Sequence, residues 1–148
     1  MEIQLITRSH PLWGKAIAFA EHSSWKAGPV LAKRMRENAF REWERVIVAA
    51  EGDRIAGYCT ITERDELPEK YGYTPFIGFV VVDERYRGRR ISERMIGEAS
   101  RYAKTLGYPA IYIMSGERGL YEKYGFEKAG EFETIYGTKD QLFRKAMK

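Results

Sequence analysis

Five arginines lie within ten residues where a predicted strand leads into a predicted helix: Arg85, Arg87, Arg89, Arg90 and Arg94. Neighbouring carboxylates at residues 83, 84 and 93 offset part of this positive charge. The N-terminus of a helix carries a partial positive charge and unpaired backbone N–H groups, so cations gathered there favour a bound anion. Gly88 lets the backbone approach that anion, whose oxygens the N–H groups then bind. The turn at residues 85–92 therefore predicts a phosphate site, and the alternative is a solvated arginine run.

The two common phosphate loops are excluded by the glycine pattern of this turn. A Walker A loop requires Gly-x-x-x-x-Gly-Lys-Ser/Thr, and a dinucleotide fingerprint requires Gly-x-Gly-x-x-Gly. The turn reads DERYRGRRIS at residues 83–92 and contains one glycine. Any phosphate bound here is therefore held by a different arrangement.

Hydrophobic periodicity predicts the elements that position the turn. Predicted strands cover residues 3–7, 46–50, 55–62, 75–82 and 110–114, and predicted helices start at Pro11 and Pro29 and cover 91–106 and 119–124. The apolar run at 75–82 suits a central strand buried on both faces. Residues 126–136 and the end near Leu142 indicate a closing hairpin. The order predicts an α/β (α+β) domain spanning residues 1–148, built around one mixed sheet.

Composition limits the class of protein. The 148 residues, 44% of them hydrophobic and 31% charged, suit one soluble globular domain. No apolar run approaches the roughly 20 residues of a membrane span, and the first residues lack a signal-peptide pattern. One cysteine excludes an internal disulfide, so we expect a cytoplasmic protein without membrane contact. The net charge of +4 comes from interspersed basic and acidic residues, which argues against nucleic acid as a partner.

Two segments resemble one known family. Residues 79–92, FVVVDERYRGRRIS, resemble the central motif of the GNAT superfamily of acyl-CoA-dependent N-acyltransferases, in which a strand leads to Gln/Arg-x-x-Gly-x-Gly/Ala at a helix start. Arg85 and Gly88 match the first and fourth positions, whereas Arg90 stands where glycine or alanine is usual. Residues 120–126, LYEKYGF, resemble the family's Tyr-x-x-x-Gly-Phe segment. The resemblance implies a sheet with a splayed central strand.

The resemblance also implies a donor, acetyl-CoA, and the residues that hold it. Backbone groups of Val80 and Val82 would contact the pantetheine arm. Backbone N–H groups would hold the pyrophosphate, from Arg87, Gly88, Arg89, Arg90 and Ser92. The thioester would lie between the central strand and the strand at 110–114. A primary amine would attack it directly, without a covalent enzyme intermediate.

Direct attack needs two proton transfers. An ammonium of pKa about 10.4 loses a proton first, which costs roughly 4–5 kcal/mol at neutral pH, so a base helps. Glu63 is our candidate base, with Asp65 and Glu66 on the same predicted loop. The leaving thiolate needs an acid, and the resemblance implies Tyr121; spacing alone does not separate it from Tyr124.

Other chemistries find little support in the sequence. The two histidines, His10 and His22, suit capping or surface positions, and Cys59 suits a buried position in a strand. No His, Cys and carboxylate cluster has metal-ligand spacing, so we expect no metal. The acceptor side is expected from residues 11–41 and the loop at 63–73. Aromatic and acidic residues there suit a cationic amine or, alternatively, an ordinary amphipathic helix pair: Trp13, Trp25, Phe40, Trp43, Glu21, Glu37, Glu42 and Glu44.

The leading hypothesis is an N-acetyltransferase whose acceptor is a small-molecule or peptide amine. A second is a non-catalytic acyl-CoA-binding or sensing module, which needs the turn at 85–92 but not Tyr121. A third, an RNA-binding module using the arginines, is opposed by the interleaved acids. An exposed edge strand near the C-terminus would allow a homodimer.

Overall fold

A computed structural model describes residues 1–23 and 26–147. The described residues form a seven-stranded sheet with four α-helices. The strands are β1 (Glu2–Ile6), β2 (Arg45–Glu51), β3 (Arg54–Thr62), β4 (Phe76–Val82), β5 (Ala110–Ser115), β6 (Glu127–Glu133) and β7 (Lys139–Ala146). The helices are α1 (Trp13–Glu21), α2 (Gly28–Arg36), α3 (Ile91–Thr105) and α4 (Leu120–Lys123).

The sheet is mixed, and its order is β1-β2-β3-β4-β5-β7-β6. All neighbouring strands are antiparallel except β4 and β5, which are parallel and joined through α3. A parallel pair needs such a crossover because the chain must return to the same end of the sheet. The expectation of one mixed sheet flanked by helices is confirmed.

The two faces of the sheet bury different helices. Alternate side chains of a strand point to opposite faces. On β2, Val46 and Val48 pack with α1 and α2, whereas Ile47 and Ala49 pack with α3. The buried stripe of α3 includes Met95 at 0% exposure, and burial of such a side chain contributes about 1.5–3 kcal/mol. The sheet is thus a rigid platform between two helical layers.

A third buried cluster lies under the loop at residues 63–75. Leu67 from this loop packs with Phe76, Met114 and Leu142. The loop contains a short 3₁₀ helix, Glu69–Tyr71, where the sequence predicts irregular structure alone. The Tyr71 ring lies 5.0 Å from the ring of Phe132 on β6. These contacts fix the path of the loop across the C-terminal half of the sheet.

Strand β4 departs from the expected central strand. Its first three residues, from Phe76, are buried, but the remaining four, ending at Val82, are half-buried. Phe79 has a φ of +53°, and the register with β3 shifts between Tyr58 and Thr60. This irregularity is a β-bulge, which bends a strand and ends regular pairing. The prediction that 75–82 is buried on both faces is therefore wrong for its second half.

Helix boundaries differ slightly from the sequence-based expectation. The first helix begins at Trp13, and Pro11 lies in the turn before it. The second begins at Gly28 with Pro29 in its first turn, the position where proline is tolerated. No helix within residues 1–23 and 26–147 is long and apolar enough to cross a bilayer.

Candidate functional site

A cleft of about 1710 Å³ opens between β4 and β5. The two strands pair through Phe76 with Tyr112 and through Ile77 with Ile113. Beyond these pairs, residues 78–82 form one wall of the cleft and residues 114–117 form the other. The bulge at Phe79 causes the separation, because it turns the end of β4 away from its parallel neighbour.

The exposed edge of β4 offers backbone groups to this cleft. The Asp83 N–H donates to the Ala56 carbonyl on β3, at 2.8 Å. Successive residues of a strand direct their backbone groups to opposite edges. Val82 and, two residues earlier, Val80 therefore direct theirs toward the cleft, and both residues line it.

One end of the cleft reaches the arginine-rich turn. After a 3₁₀ helix, Glu84–Tyr86, the chain passes through Gly88 at φ +84° and Arg90 at φ +59°, and α3 begins at the next residue. Within the described part of the chain, no backbone N–H of residues 88–93 donates a hydrogen bond. Arg87 and Ser92 line the cleft beside these groups. Consecutive unpaired N–H groups at the start of a 15-residue helix form an anion-binding surface.

The arginine side chains of the turn have more contacts with carboxylates and aromatic rings than the sequence suggests. Arg85 makes two hydrogen bonds to the Asp83 carboxylate, at 3.3 and 3.1 Å, and this contact lowers the pKa of Asp83. Arg90 pairs with Glu93 at 3.0 Å. The Arg89 guanidinium lies over the Tyr86 ring, 5.3 Å from its centroid. The expectation that unopposed cations require an anion therefore needs correction, and the backbone N–H groups are the stronger argument for anion binding.

Arg90 occupies a left-handed conformation at the N-cap of α3. A side chain there costs roughly 1–2 kcal/mol relative to an ordinary conformation, whereas glycine adopts it freely. The Arg90 guanidinium points to Glu93 and is largely exposed. The geometry explains why a small residue suits this position and how an arginine is still accommodated.

Tyr121 and Tyr124, which sequence spacing does not separate, have different surroundings. Tyr121 lines the cleft from α4 and is 5% exposed. The pKa of its phenol is raised to about 12, mainly by burial and also by the charge of Glu117, while a hydrogen bond with Ser115 acts in the opposite direction. Its hydroxyl is therefore protonated at neutral pH. The Tyr124 hydroxyl instead lies 2.8 Å from Ser92 Oγ.

A second titratable group lines the opposite wall. The Asp65 carboxylate packs against Gly78, where a Cβ would lie 2.9 Å from Asp65 Oδ1. The pKa of Asp65 is raised to about 7, mainly by desolvation and also by the charge of Glu66, while Arg34 and the Glu66 N–H act in the opposite direction. A carboxyl group with a pKa near neutrality exchanges protons readily at physiological pH. The contact sits where β4 leaves β5.

Glu63 does not occupy the position expected for a base. Its carboxylate pairs with Arg41 at 2.9 Å and with Arg64 at 3.7 Å, and it is not among the described residues that line the cleft. Its backbone N–H donates to the buried Glu44 carboxylate at 2.7 Å. The loop thus directs Glu63 to one side and Asp65 to the other, which corrects the expectation that Glu63 borders the cleft.

Another part of the cleft lining combines N-terminal residues with the C-terminal hairpin. Its lining includes Phe19, Lys26, Asp65, Glu66, Glu117 and Tyr136. Tyr136 projects from the turn between β6 and β7 and is 71% exposed. That turn is tied to the loop by a hydrogen bond from the Ile135 N–H to the Glu66 carbonyl, at 2.7 Å. Acidic, aromatic and basic side chains therefore meet in this part of the cleft, and Asp83 and Glu84 add carboxylates beside the turn at 85–92.

The other aromatic and nucleophilic candidates support the fold instead. Trp13 packs against Phe40, and Trp43 packs against Tyr108. Cys59 is fully buried, which raises the pKa of its thiol well above its usual range. Trp25 lies outside the described residues. Within the described ranges, no group of three or more His, Cys, Asp or Glu side chains has the arrangement of a metal site.

His10 and Glu21 have local roles of the same kind. The His10 ring nitrogen Nδ1 accepts a hydrogen bond from the Leu12 N–H at 3.0 Å, and Glu21 pairs with Arg36. Glu37 and Glu42 are exposed on the surface. His22 lines the cleft and is exposed. The amphipathic-helix interpretation therefore accounts for most of the N-terminal set.

A sequence profile of the acetyltransferase (GNAT) family matches residues 12–126. The chain belongs to this family. The match includes β4, the turn at 85–92, α3 and the helix that carries Tyr121. The GNAT resemblance of the two sequence motifs is thereby confirmed over most of the chain.

Individual relatives agree with this assignment. The uncharacterized N-acetyltransferase YhbS of Escherichia coli (strain K12) is 27% identical over 103 residues, which are 70% of this chain and 60% of that protein. The chain thus aligns with less than two thirds of the length of this curated relative. An aminoglycoside 6'-acetyltransferase type Ii superposes with a TM-score of 0.77 at 19% identity, covering 99% of this chain and 97% of the other. An aminoglycoside 6'-N-acetyltransferase complexed with coenzyme A gives 0.73 at 16% identity and the same coverage. These structures establish the GNAT fold.

Proposed function

We propose that this protein transfers an acetyl group from acetyl-CoA to a primary amine. One observation carries the proposal: the cleft between β4 and β5 reaches the unpaired N–H groups of residues 88–93 and is also lined by the carboxylates of Asp65, Glu66 and Glu117. A cleft that offers N–H donors for a diphosphate and also presents carboxylates suits an anionic donor and a cationic acceptor. A structural relative bears coenzyme A, which supports the same donor here.

The backbone holds the donor in this proposal. N–H groups of Gly88, Arg89, Arg90 and Ser92 bind the diphosphate oxygens, as the GNAT resemblance implies, whereas the Arg87 N–H donates to the Glu84 carbonyl at 3.3 Å. Edge groups of Val80 and Val82 bind the amides of the pantetheine arm, in the way that a further strand would pair with β4. The thioester then lies where β4 and β5 diverge, between Gly78 and Ser115.

Two side chains on opposite walls move the protons. Asp65 accepts a proton from the ammonium of the acceptor, directly or through one water. The freed nitrogen attacks the thioester carbonyl, so that a C–N bond forms and the C–S bond breaks. Tyr121 donates its phenolic proton to the departing sulfur, and the second proton that the nitrogen loses as the amide forms returns through solvent to the Tyr121 phenolate. Asp65 replaces Glu63 as our proposed base because it lines the cleft and has a raised pKa.

The acceptor is a cationic primary amine, either a small molecule or a peptide. Asp65, Glu66 and Glu117 attract the positive charge, and Tyr136 and Phe19 offer aromatic faces for cation–π contact. Electrostatic attraction of this kind weakens as salt is added.

A panel of amines tests the reaction. The protein is mixed with acetyl-CoA and with diamines, amino sugars, peptides with free N-termini or lysine peptides, and free thiol and acetylated product are measured together. We expect equal amounts of thiol and acetylated amine for at least one cationic acceptor. Coenzyme binding without thiol release from any acceptor would favour the non-catalytic acyl-CoA-binding or sensing module instead.

Replacement of Tyr121 by phenylalanine separates these two functions further. An enzyme that uses Tyr121 as its acid should lose about 10²–10⁴-fold in turnover, the usual contribution of general acid catalysis, with little change in coenzyme affinity. The matched control is Tyr102→Phe, which removes a hydroxyl that donates to the Trp43 carbonyl elsewhere in the fold. Unchanged turnover in Tyr121→Phe would refute the proton-donor role.

A further inference from the structure

A hydrogen bond links the anion-binding turn to the helix that carries Tyr121. Ser92 Oγ in the first turn of α3 and the Tyr124 hydroxyl at the end of α4 lie 2.8 Å apart. The two residues are far apart in sequence, and both are partly buried. Ser92 also lines the cleft, beside the unpaired N–H groups of residues 88–93. The contact is therefore in a position to affect an anion held on the turn.

We infer that Tyr124 is a positioning residue that orients the Ser92 hydroxyl as a donor to the diphosphate. This inference rests on the function proposed above. A phenol is a stronger acid than an aliphatic alcohol, so Tyr124 is the better donor of the pair. When Ser92 Oγ accepts from Tyr124, its own proton is left for another acceptor. That acceptor is the anion on the turn, because the neighbouring backbone groups are themselves donors.

The alternative partner for the Ser92 proton is a carbonyl one turn earlier in the chain. Serine in a helix often donates to the carbonyl four residues before it. Ser100 does this on the same helix, donating to the Ile96 carbonyl at 2.8 Å. Ser92 makes no such bond to Gly88 among the hydrogen bonds of the described residues. Its position in the first turn and its contact with Tyr124 thus distinguish it from an ordinary helical serine.

The same contact connects the turn to Tyr121. Helix α4 comprises four residues and is bounded by Gly119 at φ +85° and Gly125 at φ +93°, so its own hydrogen bonds do little to fix it. The Tyr124 ring meets the Tyr121 ring edge-on, with centroids 6.2 Å apart. A diphosphate that engages Ser92 therefore also stabilises the position of α4.

Two donors that differ at the diphosphate separate this role from a general structural one. Dissociation constants for acetyl-CoA and for S-acetylpantetheine, which lacks the diphosphate, are measured by calorimetry for wild type, Ser92→Ala, Tyr124→Phe and the double variant. We expect acetyl-CoA affinity to fall about tenfold in Ser92→Ala and about three- to tenfold in Tyr124→Phe, since hydrogen bonds to charged groups are strong. Affinity for S-acetylpantetheine should be unchanged.

The double variant decides whether the two residues act through one contact. We expect it to bind acetyl-CoA no more weakly than Ser92→Ala. Tyr124 acts through the Ser92 hydroxyl, and Ser92→Ala already lacks that group. Tyr102→Phe is the control and should bind both donors like wild type. Additive losses, an unchanged acetyl-CoA affinity in Tyr124→Phe, or an equal loss with S-acetylpantetheine would overturn the inference. Failure of wild type to bind acetyl-CoA would instead refute the proposed function.

If Tyr124→Phe is unstable, Ser92→Ala and Ser92→Thr keep the inference testable. Threonine retains the hydroxyl, so Ser92→Thr should recover most of the acetyl-CoA affinity that Ser92→Ala loses. Equal losses in the two Ser92 variants would show that the hydroxyl itself does not bind the diphosphate.

Discussion

Replacement of Asp65 by asparagine should make the protein more stable above neutral pH while removing its activity. Asparagine keeps the shape of the side chain that packs on Gly78 but cannot ionise. The wild-type residue is half-buried, and its carboxyl group is partly desolvated and lies near the charge of Glu66, so its charged form is unfavourable. The same raised pKa that suits Asp65 to proton transfer lowers the free energy of unfolding when the carboxyl group is charged.

The size of the effect follows from the raised pKa of Asp65. The folded value is about 7 and the ordinary value is 3.8, so the difference is about 3 units. At ~1.36 kcal/mol per unit this gives about 4 kcal/mol at most. Between about pH 4 and pH 7 the folded chain keeps a proton that the unfolded chain releases, so wild-type stability falls as pH rises through this window. Below pH 4 the two proteins should differ little, and above pH 7 the full difference is reached.

Urea unfolding of wild type and Asp65→Asn at several pH values from 4 to 8 measures this difference. We expect the variant to gain in relative stability with increasing pH and the gain to level off above pH 7. A difference that is independent of pH, or one that favours wild type more as pH rises, would refute the placement of Asp65 in a half-buried environment beside Glu66.

The pH dependence of the reaction provides the catalytic half of the same test. Wild-type kcat/KM for the amine should rise with pH through an apparent pKa near 7, and Asp65→Asn should lose this limb together with most of the activity. Glu66→Gln is the informative control because the charge of Glu66 raises the pKa of Asp65. The limb should move to lower pH in that variant, and a limb that stays in place would contradict the assignment.

Two glycine comparisons test the geometry of the site. Gly78→Ala should displace the Asp65 carboxylate and lower kcat/KM for the amine at least tenfold, with little loss of stability. Gly97 is a helical site with open space around it, so Gly97→Ala should stabilise α3 by up to about 1 kcal/mol and leave activity intact. Full activity in Gly78→Ala would contradict the role of that contact. At the N-cap of α3, Arg90→Gly should be more stable than Arg90→Ala by about 1 kcal/mol in urea unfolding, because only glycine is free of strain at φ +59°; equal stability would refute the strain.

Much of the architecture could be predicted because local patterns carry it. The apolar run before residue 83, the glycine in the turn and the helical spacing after Ile91 together predict a strand, turn and helix, and the structure has β4, the turn and α3 in these places. Alternation along β2 matches its two buried faces. Such features depend on neighbours in sequence.

The bulge at Phe79 could not be predicted, because nothing in the run FVVV marks the residue that adopts a positive φ. The same limit affects the site side chains. Glu63 and Asp65 are two residues apart on one loop, and the choice between them depends on Arg41, Glu44 and Gly78, which are distant in sequence. In the same way, a contact with Ser92 distinguishes the surroundings of Tyr124 from those of Tyr121. Tertiary contacts decide which carboxylate and which phenol reach the cleft.

Calorimetric titration of acetyl-CoA into the wild-type protein tests the central claim most directly. Binding with one site per chain is expected, weaker at high salt and at least tenfold tighter than binding of S-acetylpantetheine, because the N–H groups of residues 88–93 act on the diphosphate. Absence of binding at millimolar acetyl-CoA, or equal affinity for the donor without a diphosphate, would contradict the account.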